Sequence, residues 1–345
     1  MISRIDSADP AAFDAWYAAV RAASLADRDP GVVPLPHPDS LRAVLRGRGG
    51  ERRALAYAAH GEDGGVAGAL LLEFGDRDNL HLAEVDVNVP VRTRRRGHGT
   101  RLWEHAERVM AEEGRTTALA EVQLPSGRSF EDWPGARFAL ALGFGVVHEE
   151  DYYVLGLPLA ARTREDVGAD VLALGSRYEL LTWTDTCPEE LLEDYARLRT
   201  RMEADVPLGE TAFERGLWDP ARVRDQEERR RAQRYRTLVC AARAAAGGLA
   251  GYSEIALPEG EGAAYQEDTL VAPEHRGNRL GSALKLRNLE VLAAEFPERV
   301  QVRTWNAPGN APMRRVNLRL GFRPVERMHE FQRVLPGQPP RRRSG

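Results

Sequence analysis

The chain has 345 residues and a formal net charge of −4, with 43% hydrophobic and 29% charged residues. This length and composition suit a globular protein of two domains, and the negative charge argues against a surface built to bind nucleic acid or an anionic membrane. Two cysteines are too few for a disulfide framework or a thiolate zinc site, so we predict no metal centre. The first ten residues lack the apolar core of a signal peptide, and we expect a cytoplasmic protein.

Apolar periodicity in the first half predicts alternating strands and helices. Asp9 followed by Pro10 is typical of a helix start, and Gly-Glu-Asp-Gly-Gly between two apolar runs predicts a hairpin. In chain order we predict a strand at 2–5, a helix from Pro10, a short helix at 38–45, a hairpin from Ala54, strands at 80–89 and 117–124, the end of a helix at 138–142 and final strands at 146–157.

The second half repeats this order after a join at residues 158–176, which shows no strong strand pattern. We predict a strand at 178–183, a helix from Cys187, a charged helix at 219–234, hairpin strands at 238–242 and 249–257, and strands at 265–271 and 300–305. The last residues, PGQPPRRRSG, predict a disordered basic tail.

A glycine-containing turn follows the strand at 80–89. Gly97 and Gly99 come after three arginines, and an amphipathic helix pattern begins directly behind them. Free N–H groups at a helix start, together with the positive end of the helix dipole, bind phosphate. The spacing fits neither the GxGxxG turn of dinucleotide-binding folds nor the P-loop.

A second copy of this turn lies later in the chain. Aligning the two sets Arg276 against Arg94 and Gly281 against Gly99, 182 residues apart. Each copy is followed by the tripeptide Leu-Gly-Phe, whose glycines, Gly143 and Gly321, are 178 residues apart. Two independent positions with nearly one period indicate that a whole domain is duplicated.

The pattern Arg94-x-x-Gly97-x-Gly99 resembles the pyrophosphate loop of the GNAT acetyltransferase superfamily. The repeated order of elements resembles the tandem-GNAT arrangement of actinobacterial acetyltransferases, similar in architecture to mycothiol synthase. The resemblance implies an α/β fold with a mixed sheet in each of two tandem GNAT domains. It places these domains at 1–160 and 176–335, with a linker at 161–175 and the tail at 336–345.

The resemblance also implies where acetyl-CoA would bind as acyl donor. Its pantetheine arm would lie against the strand before each loop, and its pyrophosphate in the loop. Arg279 stands where the first loop has Gly97, and its N–H group would still bind if its φ is negative. The implied cofactor-binding residues are Val87, Val89, Arg94, Arg95, Arg96, Gly97, His98, Gly99 and Thr100 in the first half, and Val271, Arg276, Gly277, Asn278, Arg279, Gly281 and Asn310 in the second.

Three carboxylates are candidates for the catalytic base. Glu84 and Glu267 lie on the strand that leads to each loop, where GNAT enzymes often have a carboxylate, and Glu121 lies on the strand that follows the first loop's helix. Each is also compatible with an ordinary solvated strand face. The tyrosine that many GNAT enzymes use as general acid is missing, because its positions are occupied by Ala139 and Asn317.

The leading hypothesis is an acetyl-CoA dependent N-acetyltransferase that acts on a small-molecule amine by direct transfer in a ternary complex, as a monomer or homodimer. A second is a non-catalytic acyl-CoA binding or interaction protein, favoured by the missing tyrosines. A third, nucleic-acid binding through the arginine clusters, conflicts with the net charge and with the lack of interleaved aromatic residues.

Overall fold

The computed structural model describes residues 1–47, 51–206 and 209–335. The predicted basic tail at 336–345 lies outside these residues. The described residues form two compact units: the first holds residues 1–149, 209–214 and 327–335, and the second holds residues 150–206 and 215–326. Both units combine helices with a mixed sheet, which confirms the predicted α/β class.

The elements follow the predicted order in both halves. The first half contains β1 (Ile2–Arg4), α1 (Pro10–Ser24), α2 (Pro38–Arg46), β2 (Arg52–His60), β3 (Val66–Gly75), β4 (Leu82–Asn88), α3 (His98–Glu112), β5 (Thr117–Pro125), α4 (Pro134–Ala141) and β6 (Gly145–Gly156). The second half contains α5 (Ala161–Leu174), β7 (Tyr178–Thr184), α6 (Glu189–Asp205), α7 (Pro220–Ala232), β8 (Tyr235–Ala244), β9 (Leu249–Pro258), β10 (Ala263–Val271), α8 (Leu280–Glu295), β11 (Gln301–Asn306), α9 (Ala311–Leu320) and β12 (Arg323–Val334).

In the first unit, β1, β2, β3 and β4 are antiparallel neighbours, and β4 runs parallel to β5. α3 packs on one face of this sheet through Leu102, Ala106 and Met110. α1 packs on the other face through Phe13 and Trp16. The predicted start of α1 is confirmed, because the side chain of its N-cap residue accepts hydrogen bonds from the first free N–H groups of the helix.

Side chains alternate between the two faces along β4. Ala83, Val85 and Val87 belong to the apolar core on the α3 side. Glu84 and Asp86 therefore point to the opposite face, where α1 packs. This alternation places two carboxylates on one wall of the site described below.

In the second unit, β7, β8, β9 and β10 are antiparallel neighbours, and β10 runs parallel to β11. The segment between the halves is helical: α5 packs along α8 and contacts α9. Its signal in the sequence is the helical spacing of Val167, Val171 and Leu174, which pack into the core of the second unit.

Each unit is completed by a strand from the other half of the chain. Residues 151–156 of β6 pair antiparallel with β11 in the second unit. Residues 327–334 of β12 lie beside β5 in the first unit. The predicted boundaries at 160 and 176 concern the sequence repeat and stay a prediction.

Candidate active site

A cavity of about 1400 Å³ lies in the first unit where two parallel strands separate. β4 pairs with β5 through residues 82–84 and 117–119. Beyond these pairs, residues 85–89 and 120–123 line the cavity. A strand edge of this kind can bind the amide groups of an extended ligand as an added strand.

Most of the residues predicted for the first half line this cavity. They are Glu84, Val87, Val89, Arg94, Arg95, Gly97, His98, Gly99, Thr100 and Glu121. Arg96 is exposed to solvent and is not part of the lining. The structure thus brings the predicted phosphate loop and two of the three predicted carboxylates to one cavity.

The loop between β4 and α3 has the geometry of an anion site. α3 begins at His98, and Gly97 before it has a φ of 78°, in the left-handed region that favours glycine. Gly97 has no side chain with which to cap the helix, so the N–H groups of the first turn are available at the cavity wall. Arg94 ties the loop to the end of the strand, because its Nε donates to the carbonyl oxygen of Val89 at 3.0 Å.

His98 is buried at the start of α3 and accepts a hydrogen bond at Nδ1 from Arg101. Burial and the neighbouring cations Arg101 and Arg96 lower the pKa of His98. Its imidazole is therefore neutral at physiological pH, and the positive charge at the loop comes from the arginines.

Helix α4 approaches the start of α3 closely. A Cβ atom on Gly99 would lie 3.0 Å from Cζ of Phe138 in α4, which explains the glycine at this position. Ala139, at the position of the missing tyrosine, lines the cavity. The cavity therefore has no phenol at this position to protonate a leaving group.

The carboxylates on the cavity wall differ in their surroundings. Glu84 forms an ion pair with Arg52. Asp86, two residues further along β4, also lines the cavity and was not among the predicted catalytic residues. Its side chain is exposed to water at the cavity wall. Desolvation by the surrounding protein raises the pKa of Asp86, against a hydrogen bond with Asn88 that lowers it. The sequence signal that identifies Asp86 is its position on the same strand face as Glu84.

The second loop has the same backbone shape as the first but a different distribution of glycines. In the first loop Arg95 and Gly97 have positive φ, at 62° and 78°. In the second loop Gly277 and Arg279 have positive φ, at 81° and 58°. Each loop thus has two left-handed positions, and each occupies one with glycine and the other with arginine. The condition under which Arg279 could replace Gly97, a negative φ, is therefore not met.

The polar groups of the second loop are bound within the second unit. Arg276 donates from Nε to the carbonyl oxygen of Val271 at 3.0 Å, as Arg94 does to Val89, and it also pairs with Asp205. Arg279 pairs with Asp170 of α5, a fully buried carboxylate that also accepts from Arg319. Both arginines of this loop are therefore held in ion pairs with carboxylates of the second unit.

The strand before the second loop faces a buried network of charges. Glu254 of β9 pairs with Arg199 and Arg230, which lower its pKa although burial raises it. Asp268, which corresponds to Asp86 in the repeat, accepts from the hydroxyl group of Tyr252 at 2.8 Å. The cavity beside this network has a volume of only about 20 Å³. In the second unit, side chains fill the space that corresponds to the open cavity beside β4 of the first unit.

The remaining predicted residues of the second half have local roles. Burial raises the pKa of Glu267 to about 6, with Arg230 lowering it and Glu254 raising it. Asn278 donates to the carbonyl oxygen of His275 at 3.1 Å. Asn310 caps α9, because its side chain accepts from the N–H group of Met313. A Cβ atom on Gly281 would lie 3.8 Å from Val271, an ordinary contact.

Two other classes of site are absent from the described residues. None of the helices there is long and apolar enough to cross a membrane. No group of three or more His, Cys, Asp or Glu side chains in the described ranges could hold a metal ion.

Comparison with protein families decides the identity of the fold. The model of the acetyltransferase (GNAT) family matches residues 22–132 and 192–322, one segment in each half. The chain belongs to this family. It is a tandem GNAT acyltransferase, which confirms the family and the enzyme class that the resemblance implied. The cavity described above lies at the predicted loop of its first GNAT repeat.

Solved structures extend this result over the whole chain. A tandem GNAT protein from the clavulanic acid biosynthesis pathway, solved without AcCoA, is 27% identical, with a TM-score of 0.79 over 98% of this chain and 99% of that one. A GCN5-related N-acetyltransferase from Sphaerobacter thermophilus is 18% identical, with a TM-score of 0.63 over 98% of this chain and 96% of that one, a likeness of fold alone. No curated protein matches the sequence significantly.

Proposed function

We propose that the first unit is an acetyl-CoA dependent N-acetyltransferase that acetylates the amine of a small molecule by direct transfer in a ternary complex. The observation that supports this is one cavity lined both by the phosphate loop and by the carboxylates of β4. Its volume of about 1400 Å³ exceeds the roughly 300–1,000 Å³ of an ordinary ligand pocket. The cavity has room for a cofactor and an acceptor at the same time.

Acetyl-CoA would lie along β4 in this proposal. The free N–H groups at the start of α3 and the side chains of Arg94 and Arg95 would bind its pyrophosphate. The backbone around Val87 and Val89 would bind the amides of the pantetheine arm. The thioester would then reach the middle of β4, beside Asp86.

The acceptor arrives as an ammonium ion and must lose a proton before it can attack. Asp86 is the group that we assign to this step, because Glu84 is already paired with Arg52. The carboxylate of Asp86 takes one proton, the amine nitrogen forms a bond to the thioester carbon, and the carbon–sulfur bond breaks. The second amine proton passes to the thiolate, so the products are an amide, CoA thiol and a protonated Asp86 that returns its proton to solvent. Glu121 stays a candidate for relaying that proton.

The second unit is assigned a structural role. Asp170 holds Arg279 of its loop in an ion pair, and the network around Glu254 fills the space beside β10. Cofactor binding by Val271, Gly277 and Gly281 remains a prediction that the following experiment addresses.

The test is calorimetric titration of acetyl-CoA into wild type and into Gly97→Glu and Gly281→Glu. A carboxylate about 5 Å from a phosphate costs about 3 kcal/mol at an effective dielectric constant near 20, which corresponds to a roughly 100-fold weaker Kd. We expect this loss for Gly97→Glu and no loss for Gly281→Glu. Gly97→Arg is the matched control, since it imposes the same backbone strain with the opposite charge, and it is expected to bind acetyl-CoA.

Each reversed outcome refutes a defined part of the proposal. If Gly281→Glu alone abolishes binding, the cofactor site lies in the second unit. If wild type does not bind acetyl-CoA, the acetyltransferase assignment fails. Binding without release of CoA thiol on any amine would support the alternative of a non-catalytic acyl-CoA binding protein, which the missing tyrosine at Ala139 favours.

A further inference from the structure

The acceptor end of the cavity contains more negative charge than one ammonium ion can neutralise. Glu73 of β3 lines the cavity together with Glu84 and Asp86 of β4. Glu73 lies directly opposite Glu84 in the antiparallel pairing of these strands, and Leu71 lies opposite Asp86. All three carboxylates therefore lie on the same face of the sheet.

Among the described residues, one ion pair is present at these three carboxylates. Arg52 pairs with Glu84. Burial first, and the charge of Glu84 second, raise the pKa of Glu73, although Arg52 lowers it. Like charges that face each other across a strand pair are destabilising, so a ligand cation at Glu73 would remove an unfavourable interaction.

The proposed reaction brings the acceptor's reacting ammonium group to this same wall of the cavity. β4 rises about 3.3 Å per residue, so the thioester of a cofactor bound at the loop reaches Asp86 from one side. The reacting amine must approach Asp86 from the other side, where Glu73 lies. The side of the cavity at Glu73 is therefore the side that contacts the rest of the acceptor.

The strand register sets the spacing of the two backbone positions that carry these carboxylates. Glu73 and Asp86 are diagonal neighbours on adjacent strands, which places such positions about 7–8 Å apart, with somewhat closer Cβ atoms. With bonds of about 1.5 Å, a chain of about four carbon atoms spans this gap between two nitrogens. A monoamine has nothing to place beside Glu73.

We propose that Glu73 selects an acceptor with two ammonium groups separated by about four carbon atoms: the reacting amine lies at Asp86 and the second ammonium ion at Glu73. Short diamines and amines of larger diamino compounds share this chemistry. The inference rests on the proposed N-acetyl transfer in the first unit and names the class of its acceptor.

The test compares acetyl transfer to 1,4-diaminobutane and to n-butylamine, followed by release of CoA thiol at saturating acetyl-CoA. We expect wild type to prefer the diamine by about tenfold or more in kcat/KM, because a hydrogen bond to a charged group is lost with the monoamine. Glu73→Gln is expected to lower this ratio by about tenfold, mainly through a higher KM for the diamine. Glu62→Gln, in the exposed turn between β2 and β3, is the matched control and should keep the wild-type ratio.

The outcomes separate this proposal from the one on which it rests. If wild type acetylates both amines equally, or if Glu73→Gln keeps the diamine preference, the second ammonium site is refuted while N-acetyl transfer stands. If neither amine is acetylated although acetyl-CoA binds, both proposals fail for these acceptors. Calorimetric binding of acetyl-CoA to Glu73→Gln shows that the variant is folded, so a lost preference then counts in favour of the proposal.

Discussion

Lys285 provides a quantitative test of the electrostatics of the second unit. It is the single lysine of the sequence, its side chain is 1% exposed, and its Nζ donates to the Oδ1 atom of Asn317 at 2.7 Å. Burial lowers the pKa of Lys285 from 10.5 to about 7. The unfolded chain therefore binds this proton below pH 10.5, whereas the folded chain binds it only below about pH 7.

The sign follows from proton linkage. Between about pH 7 and 10.5 the unfolded state binds more protons at this position, so stability rises with pH by about 1.4 kcal/mol per pH unit. Replacing Lys285 by Met removes this dependence. Since Met leaves Asn317 without its donor, the variant also has a constant penalty of about 1–3 kcal/mol. The difference in unfolding free energy between wild type and Lys285→Met should therefore change by about 2 kcal/mol between pH 7 and pH 9, because the folded state is already half deprotonated at pH 7.

Two measurements check this reasoning. Urea unfolding of both proteins at pH 7 and pH 9 gives the change in stability difference. Selective labelling of lysine gives one side-chain NMR signal, whose titration reports the pKa of Lys285 directly. A pKa near that of a free lysine, or a stability difference that is the same at both pH values, would show that the ammonium group is solvated and that the argument is wrong.

Further predictions concern the proposed base Asp86 and one glycine of each loop. Because the pKa of Asp86 is raised, kcat/KM for acetyl transfer should fall with decreasing pH, with an apparent pKa above the roughly 3.9 of an ordinary aspartate. Asp86→Asn should lower kcat by about 10²–10⁴-fold and abolish this limb of the pH profile. Gly97→Ala should destabilise the protein by about 1–2 kcal/mol through backbone strain alone, since a Cβ atom there meets nothing within 4 Å. Gly281→Ala lies inside a helix with ordinary contacts and should stabilise it by up to about 1 kcal/mol. Thermal unfolding in which both alanine variants shift in the same direction would contradict the assigned backbone geometry.

Local patterns in the sequence were sufficient for the elements. The N-cap and proline at the start of α1, and the glycine turns of the hairpins, act within a few residues of where they stand, so their effect is the same in any surroundings. The duplicated loop was likewise visible as a repeat. The helix α5 was not predicted from the sequence, because only a few apolar residues show helical spacing there. An aspartate such as Asp170 also indicates a solvent-exposed position, and only the structure places Arg279 and Arg319 beside it.

The candidate site was predicted in part. Glycine spacing identified Gly97 and Gly99 as loop residues because positive φ and close helix approach impose requirements on residue type. The proposed assignment of Asp86 rather than Glu84 as base could not be made from the sequence, since it depends on the contact of Glu84 with Arg52, which lies 32 residues away. The positive φ of Arg279 was hidden for a related reason: side-chain identity gives a preference for a backbone conformation, and the surrounding loop decides it.

The sequence by itself determined the α/β class, the duplication and the position of the two glycine-containing loops, because these follow from periodicity and from residue types at short spacing. Only the tertiary structure decided which strands complete each unit, with part of β6 beside β11 and part of β12 beside β5. Alternating apolar residues suit any strand neighbour, so the pattern cannot name the partner. The tertiary structure also decided that the first loop borders an open cavity, whereas Asp170 and the charges around Glu254 occupy the space at the second loop. Such contacts join residues that are far apart in the chain.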